Sequence, residues 1–94
     1  MADERWKTLP GEFQFYEVST TGKVRNILTG RVLKMSKTKG RHTVTLSGTR
    51  KPTTFDAGRL VAQAFLPDWS SKKKVYRRDG DITNDNVENL YLQY

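Results

Sequence analysis

The sequence predicts an α+β fold, in which a small antiparallel β-sheet precedes one short helix and a closing strand-and-turn element. Three observations carry this. Strand-like alternation fills the first half of the chain, the period becomes helical at Asp56, and an Asp-Gly pair turns the chain near its end. At 94 residues these elements form one compact unit, because a chain this short buries only roughly 60 to 65% of its unfolded surface.

Aromatic and β-branched content predicts a first strand from Phe13 to Val18, a turn at Ser19 to Gly22 and a second short strand around Val24. Thr29-Gly30 turns the chain into a third strand, Arg31 to Lys34, giving an antiparallel meander. Alternation sets Lys23 and Arg25 on the face opposite Val24, so one strand face is basic and polar. Ser36 to Arg41 reads as a flexible loop. Thr43 to Leu46 alternates as a strand, Ser47-Gly48 turns it, and a strand near Thr53 to Phe55 closes the sheet. Asp56 is a candidate N-cap, and Leu60, Val61, Ala64 and Phe65 recur at the spacing of a buried helix face. Pro67 stops that helix. A polar loop with Lys72, Lys73 and Lys74 follows, then a strand from Val75 running into an Asp79-Gly80 turn. Asp85, with Glu88 three residues on, is read as a capping box for a last helical turn ending at Asn89-Leu90.

Composition narrows the function classes. The apolar fraction is 35% and the mean hydropathy −0.74, yet four Phe, four Tyr and two Trp supply core area. No cysteine is present, which excludes disulfides and thiolate metal sites and favours a reducing cytoplasm. Asp3, Glu4, Arg5 and Lys7 interrupt the N-terminus, and no apolar run reaches membrane-spanning length. A soluble, cytoplasmic chain without a membrane partner is expected.

Charge supplies the functional signal. Seventeen Lys and Arg against ten Asp and Glu give a net charge of +7, with a sequence pI near 9.9. No Asp or Glu falls between Val18 and Phe55, where Lys23, Arg25, Arg31, Lys34, Lys37, Lys39, Arg41, Arg50 and Lys51 all lie. An uncompensated run of this kind suits a polyanion. Asp79, Asp81 and Asp85 do not make a calcium loop, since Asn84 and Leu90 stand where glycine and a bidentate glutamate are required. They read instead as side chains bonding a tight loop. The single histidine, His42, cannot supply a zinc ligand set.

Residues 6 to 34 run from Trp6 and Lys7 through Leu9-Pro10-Gly11-Glu12, Phe15-Tyr16-Glu17-Val18-Ser19 and Gly22-Lys23-Val24-Arg25 to Gly30-Arg31-Val32-Leu33-Lys34. They resemble the nuclease-associated modular motif at the N-terminus of phage HNH homing endonucleases. Arg59 to Pro67 is similar to that family's helix, and Val75 to Leu90 to its HNH core, with Asp79-Gly80, Asn84, Asn89 and Leu90 retained. The resemblance implies two regions: 1–55, a β-sheet nucleic-acid-binding motif, and 56–94, a degenerate, truncated ββα-metal (HNH-like) element. At the general base and its preceding metal-ligand or structural position stand Arg77 and Tyr76, and Gly58 replaces a helix histidine. The chain ends at Tyr94, four residues past Leu90, ahead of the helix that carries the last ligand in intron-encoded members.

From these departures the sequence is read as a catalytically inactive derivative. It is expected to be a non-enzyme without catalytic residues, metal or cofactor, binding double-stranded DNA as a regulator or host-takeover factor. The candidate DNA contacts are Lys23, Arg25, Asn26, Arg31, Lys34, Lys37, Lys39, Arg41, His42, Tyr76, Arg77 and Arg78, since Arg, Lys and Tyr donate to phosphates and Arg and Asn suit base edges. The alternatives are an inhibitor gripping an acidic host protein, and a residual metal-dependent nuclease.

Overall fold

The computed structural model describes residues 4–47 and 51–94. Three short antiparallel sheets surround one helix. The first joins β1 (Trp6–Thr8), β2 (Tyr16–Ser19) and β3 (Val24–Asn26) in that order. Val18 faces Val24 across the ladder while Glu17 faces Arg25. Alternation therefore buries both valines completely and leaves the charged pair on the outer face. The first strand is shorter than its composition suggests: Gly11–Phe13 is a 3-10 turn, and Phe13 leaves the ladder to pack edge-on against Phe55, centroids 5.1 Å apart. Arg31 to Lys34 is no strand either, making only an isolated bridge from Val32 to Arg25.

The second sheet joins β4 (Ser36–Thr38), β5 (Arg41–Leu46) and β6 (Thr53–Asp56). The expected flexible loop is thus a hairpin. Lys39 and Gly40 both have positive φ, 52° and 80°, the two-residue geometry whose twist matches antiparallel strands. The sequence concealed it because Ser36 to Thr38 is exposed and carries no apolar residue. In β5, Val44 and Leu46 point inward, as the alternation predicted. The expected turn at Ser47-Gly48 lies partly outside the described residues, as does Arg50.

Asp56 ends β6 and caps the helix α1 (Ala57–Phe65), its carboxylate accepting from Gly58 N at 2.9 Å. Ala57, Gly58, Leu60, Val61 and Ala62 are buried, and the helix leaves at Leu66, just before Pro67. It packs against strands of all three sheets. Leu60 and Val61 join Leu9, Val18, Val24, Val44, Leu46 and Leu90 in one core.

The third sheet pairs β7 (Lys74–Arg77) with β8 (Leu90–Gln93). Lys74 opens this strand and does not belong to the preceding polar loop. The final turn, Val87–Asn89, is capped by Asn86, whose side-chain Oδ1 accepts from Glu88 N. The capping box expected at Asp85 does not form, because Asp85 is 4% exposed and turned inward. The α+β class holds, with its strands divided among three sheets.

Candidate nucleic-acid interface

Lys23, Arg31, Lys34, Lys37, Lys39 and Arg41 are all exposed. Lys23 precedes β3, Lys37 lies on β4, Lys39 forms the hairpin turn and Arg41 opens β5; carboxylates from outside the segment reach two of them, Glu4 at 3.8 Å from Lys23 and Asp56 at 3.1 Å from Arg41. Arg25 and Asn26, the residues suited to base edges, are engaged within the fold. The Arg25 guanidinium pairs with Glu17 and stacks 4.0 Å from the Trp6 ring centroid. Asn26 Oδ1 accepts from the Leu28 and Thr29 amides, at 2.9 and 3.2 Å. His42 is half-buried, with Nδ1 3.8 Å from Asp85 Oδ2.

Arg77 is not a surface cation, which corrects its expected role in phosphate contact. Alternation along β7 sends Val75 and Arg77 inward and Lys74 and Tyr76 outward. The Arg77 side chain is 2% exposed and donates to Asp85 Oδ1 at 2.6 Å and Asp56 Oδ1 at 3.4 Å. Room for it exists because position 58 has no side chain: a Cβ on Gly58 would collide with the Arg77 guanidinium and stand 2.8 Å from Asp85 Oδ1. The residues at 58 and 77, which the sequence presented as two separate losses, are one packing arrangement. Burial pushes the Asp85 carboxyl above the usual aspartate range, with Arg77 acting in the opposite direction.

Beside β7 lies a cavity of about 520 Å³ lined by Arg41, Asp56, Arg59, Lys74, Tyr76 and Arg77, among others. Arg41 Nη1 is 3.1 Å from Asp56 Oδ2, so the single carboxylate of this lining is neutralised from two sides. Tyr76 stacks on Tyr91, centroids 5.5 Å apart, and Arg78 lies over the same Tyr91 ring at 5.4 Å. The sequence reading missed Arg59 and Lys74. Their signals were present: Lys74 shares the parity of Tyr76 on one strand, and Arg59 lies one turn beyond the cap.

The remaining carboxylates hold the loop, as expected. Asp79 accepts from Asn84 Nδ2, Asp81 N and Asn89 Nδ2 at 2.8 to 2.9 Å, and these bonds, Asn84 first, hold it below the usual aspartate range. Thr83 does the same for Asp81. The resemblance implies a divalent metal in this part of the fold, and the residues present do not fit one. Asp56 and Asp85 are bonded to a guanidinium whose charge repels a second cation, and no group of three or more His, Cys, Asp or Glu suited to a metal occurs among the described residues.

A basic hairpin surface, a central capped helix and a hairpin closed over an Asx-bonded loop together define a fold of the HNH endonuclease class. Comparison with known proteins agrees. Residues 4–47 match the NUMOD4 motif. An uncharacterized HNH endonuclease of Acanthamoeba polyphaga mimivirus is 40% identical over 92% of this chain and 26% of its own length. The DNA endonuclease I-HmuI of Bacillus phage SP01 is 36% identical over 90% of this chain and 49% of its own. The solved structure described as DNA binding and cleavage by the HNH homing endonuclease I-HmuI superposes with a TM-score of 0.86 at 34% identity, covering 95% of this chain and 52% of that one. These findings support the phage HNH homing endonuclease family. The chain spans about half or less of the relatives it matches.

The expectation of a non-enzyme is overturned by these relatives, which are named endonucleases and point to an enzyme. That expectation rested on positions 58, 76 and 77 and on the last residue of the chain. Relatives longer than this chain remove the force of the last argument. Among the described residues no helix is long and apolar enough to cross a membrane.

Proposed function

We propose that this chain is a DNA-engaging part of an HNH endonuclease, which grips the backbone of duplex DNA through the exposed cations of its first two sheets and seats a phosphate beside β7. The observation that carries this reading is the cavity lined by Arg41, Arg59, Lys74 and Tyr76, in a chain whose segment from Val18 to Phe55 holds no carboxylate of its own. Arginine forks, an ammonium and a phenol are donors to phosphate oxygens. With Asp56 already paired to Arg41 and Arg77, the field in the cavity is positive. The relatives' names lend nothing to the alternative partner, an acidic host protein.

Mobility shifts of a duplex across a salt series test the proposal. Affinity should fall with a log-log slope near −4.5 for about five phosphate contacts. Arg59→Glu with Lys74→Glu should weaken binding far more than Lys72→Glu with Lys73→Glu, an equal change in net charge. Equal losses would reduce the cavity to a bystander. Strand cleavage, the activity in the relatives' names, comes to this chain within the same reading and is assayed by nicking of supercoiled plasmid. Absence of nicking under every divalent-metal condition would confine the reading to binding.

A further inference from the structure

The segment that leaves β3 carries large apolar side chains into solvent. Leu28 is 75% exposed and Ile27 42%, with Phe15 and Val32 at 51% and 50%. The tip is nevertheless held firmly. Asn26 N donates to Arg31 O and Gly30 N to Asn26 O, at 2.9 and 2.8 Å, while Ile27 N donates to Phe15 O at 2.8 Å. Asn26 Oδ1 takes the next two amides, and Thr29 Oγ1 accepts from Arg31 N at 3.2 Å. Backbone groups that water would otherwise solvate are satisfied inside the loop. Leu28 is thereby presented on a preorganised support, which lowers the entropy lost when it is inserted into a partner.

An apolar tip that the fold leaves uncovered marks an interaction surface, and its surroundings decide the partner. Arg31 and Lys34 are exposed beside it, and the stretch from Ser19 to Thr54 has no carboxylate. The complementary surface is anionic outside and apolar within, as a duplex is, with phosphates flanking stacked bases. The duplex is chosen over an acidic protein because the flanking cations belong to the segment that grips DNA in the reading above. We infer that Ile27 and Leu28 form a wedge that inserts between adjacent base pairs from the minor groove, unstacking one step and bending the duplex. The wedge rests on the duplex-DNA reading, and it reassigns Asn26 from base recognition to shaping the turn.

The test uses the whole chain and a short duplex with 2-aminopurine beside a single, easily unstacked TA step. Wild-type protein should brighten the probe on binding and bring dyes on the two duplex ends closer together. Leu28→Ser, a change at an exposed position, should abolish most of both signals while retaining mobility-shift affinity within about tenfold, since phosphate contacts supply most of the binding. Leu28→Met should keep the signals. A duplex bound without brightening, or brightened equally by Leu28→Ser, would overturn the wedge and leave DNA binding intact. A chain that binds no duplex at low salt would overturn the DNA reading itself, and the wedge with it.

Discussion

Arg25 on β3 holds Glu17 across a ladder with a third of its side chain still in water, whereas Arg77 on β7 holds Asp85 with both side chains 2 to 3% exposed. The residue types and strand settings are nearly the same. What differs is the alternative each group has when its partner is lost. Arg25 can turn to solvent or remain on Trp6. Arg77 is enclosed by α1, β7 and the loop carrying Asp85, and its Nε has no acceptor among the described residues. A partly exposed pair decorates a surface, while a buried pair becomes a condition of folding. Arginine is thus used in two ways: Arg25 keeps part of its side chain in water at the edge of the first sheet, and Arg77 of the third is consumed as an internal counter-charge.

The largest effect that would break this contrast lies at position 77. Arg77→Ala should cost about 3 to 5 kcal/mol in urea denaturation at neutral pH, because Asp85 is left buried without its guanidinium, His42 at 3.8 Å being the nearest basic group. Replacing the pair together, Arg77→Met with Asp85→Leu, should recover most of that loss. A single-variant cost below about 1 kcal/mol would show that the pair is no more than a surface contact.

Gly58→Ala comes next, at about 1 to 3 kcal/mol, since the added methyl meets the Arg77 guanidinium. In an Arg77→Ala background the same change should cost less, the close approach to Asp85 Oδ1 being the one that remains. The double-mutant cycle should give a coupling of at least about 0.5 kcal/mol, and strict additivity would mean that the two positions are not one arrangement.

Arg25→Ala should cost only about 1 kcal/mol, from a partly solvated ion pair and one ring contact. Loss of folding in this variant would erase the distinction from Arg77.

The smallest effect is one of pH. Folded Asp85 has a raised pKa, caused first by burial, so the folded state binds its proton more tightly than the unfolded chain does. Its contribution is fully present below about pH 4, the unfolded value, and is lost as pH rises through the folded value. Asp79 and Asp81 act oppositely: their lowered values give a contribution present above the unfolded pKa and lost as pH falls. Urea midpoints of Asp85→Asn against wild type should therefore lose a component that declines with rising pH, and Asp79→Asn a component that grows. The same slope change in both variants would contradict the burial of Asp85.

The local elements were legible where a strong periodic or capping signal existed. Val24, Val44 and Leu46 declared their strands by alternation, and Asp56 with Leu60 and Val61 declared the helix. The hairpin at Lys39-Gly40 was not legible, because its edge strand has no buried face to leave a pattern. The basic segment from Val18 to Phe55 could be read from charge order alone. The cavity could not, since Arg41, Arg59 and Lys74 come from three elements whose meeting no local spacing encodes.

By itself the sequence determined the α+β class, the acid-free basic segment and the polar loop from Asp79 to Asn89, all of which follow from short-range pattern and steric preference. Only the tertiary structure decided the direction of Arg77. Exposed and buried arginines read identically along a chain. Whether the guanidinium meets a phosphate or Asp85 depends on Gly58, nineteen positions earlier in the sequence, leaving a space that only packing of α1 against β7 can reveal.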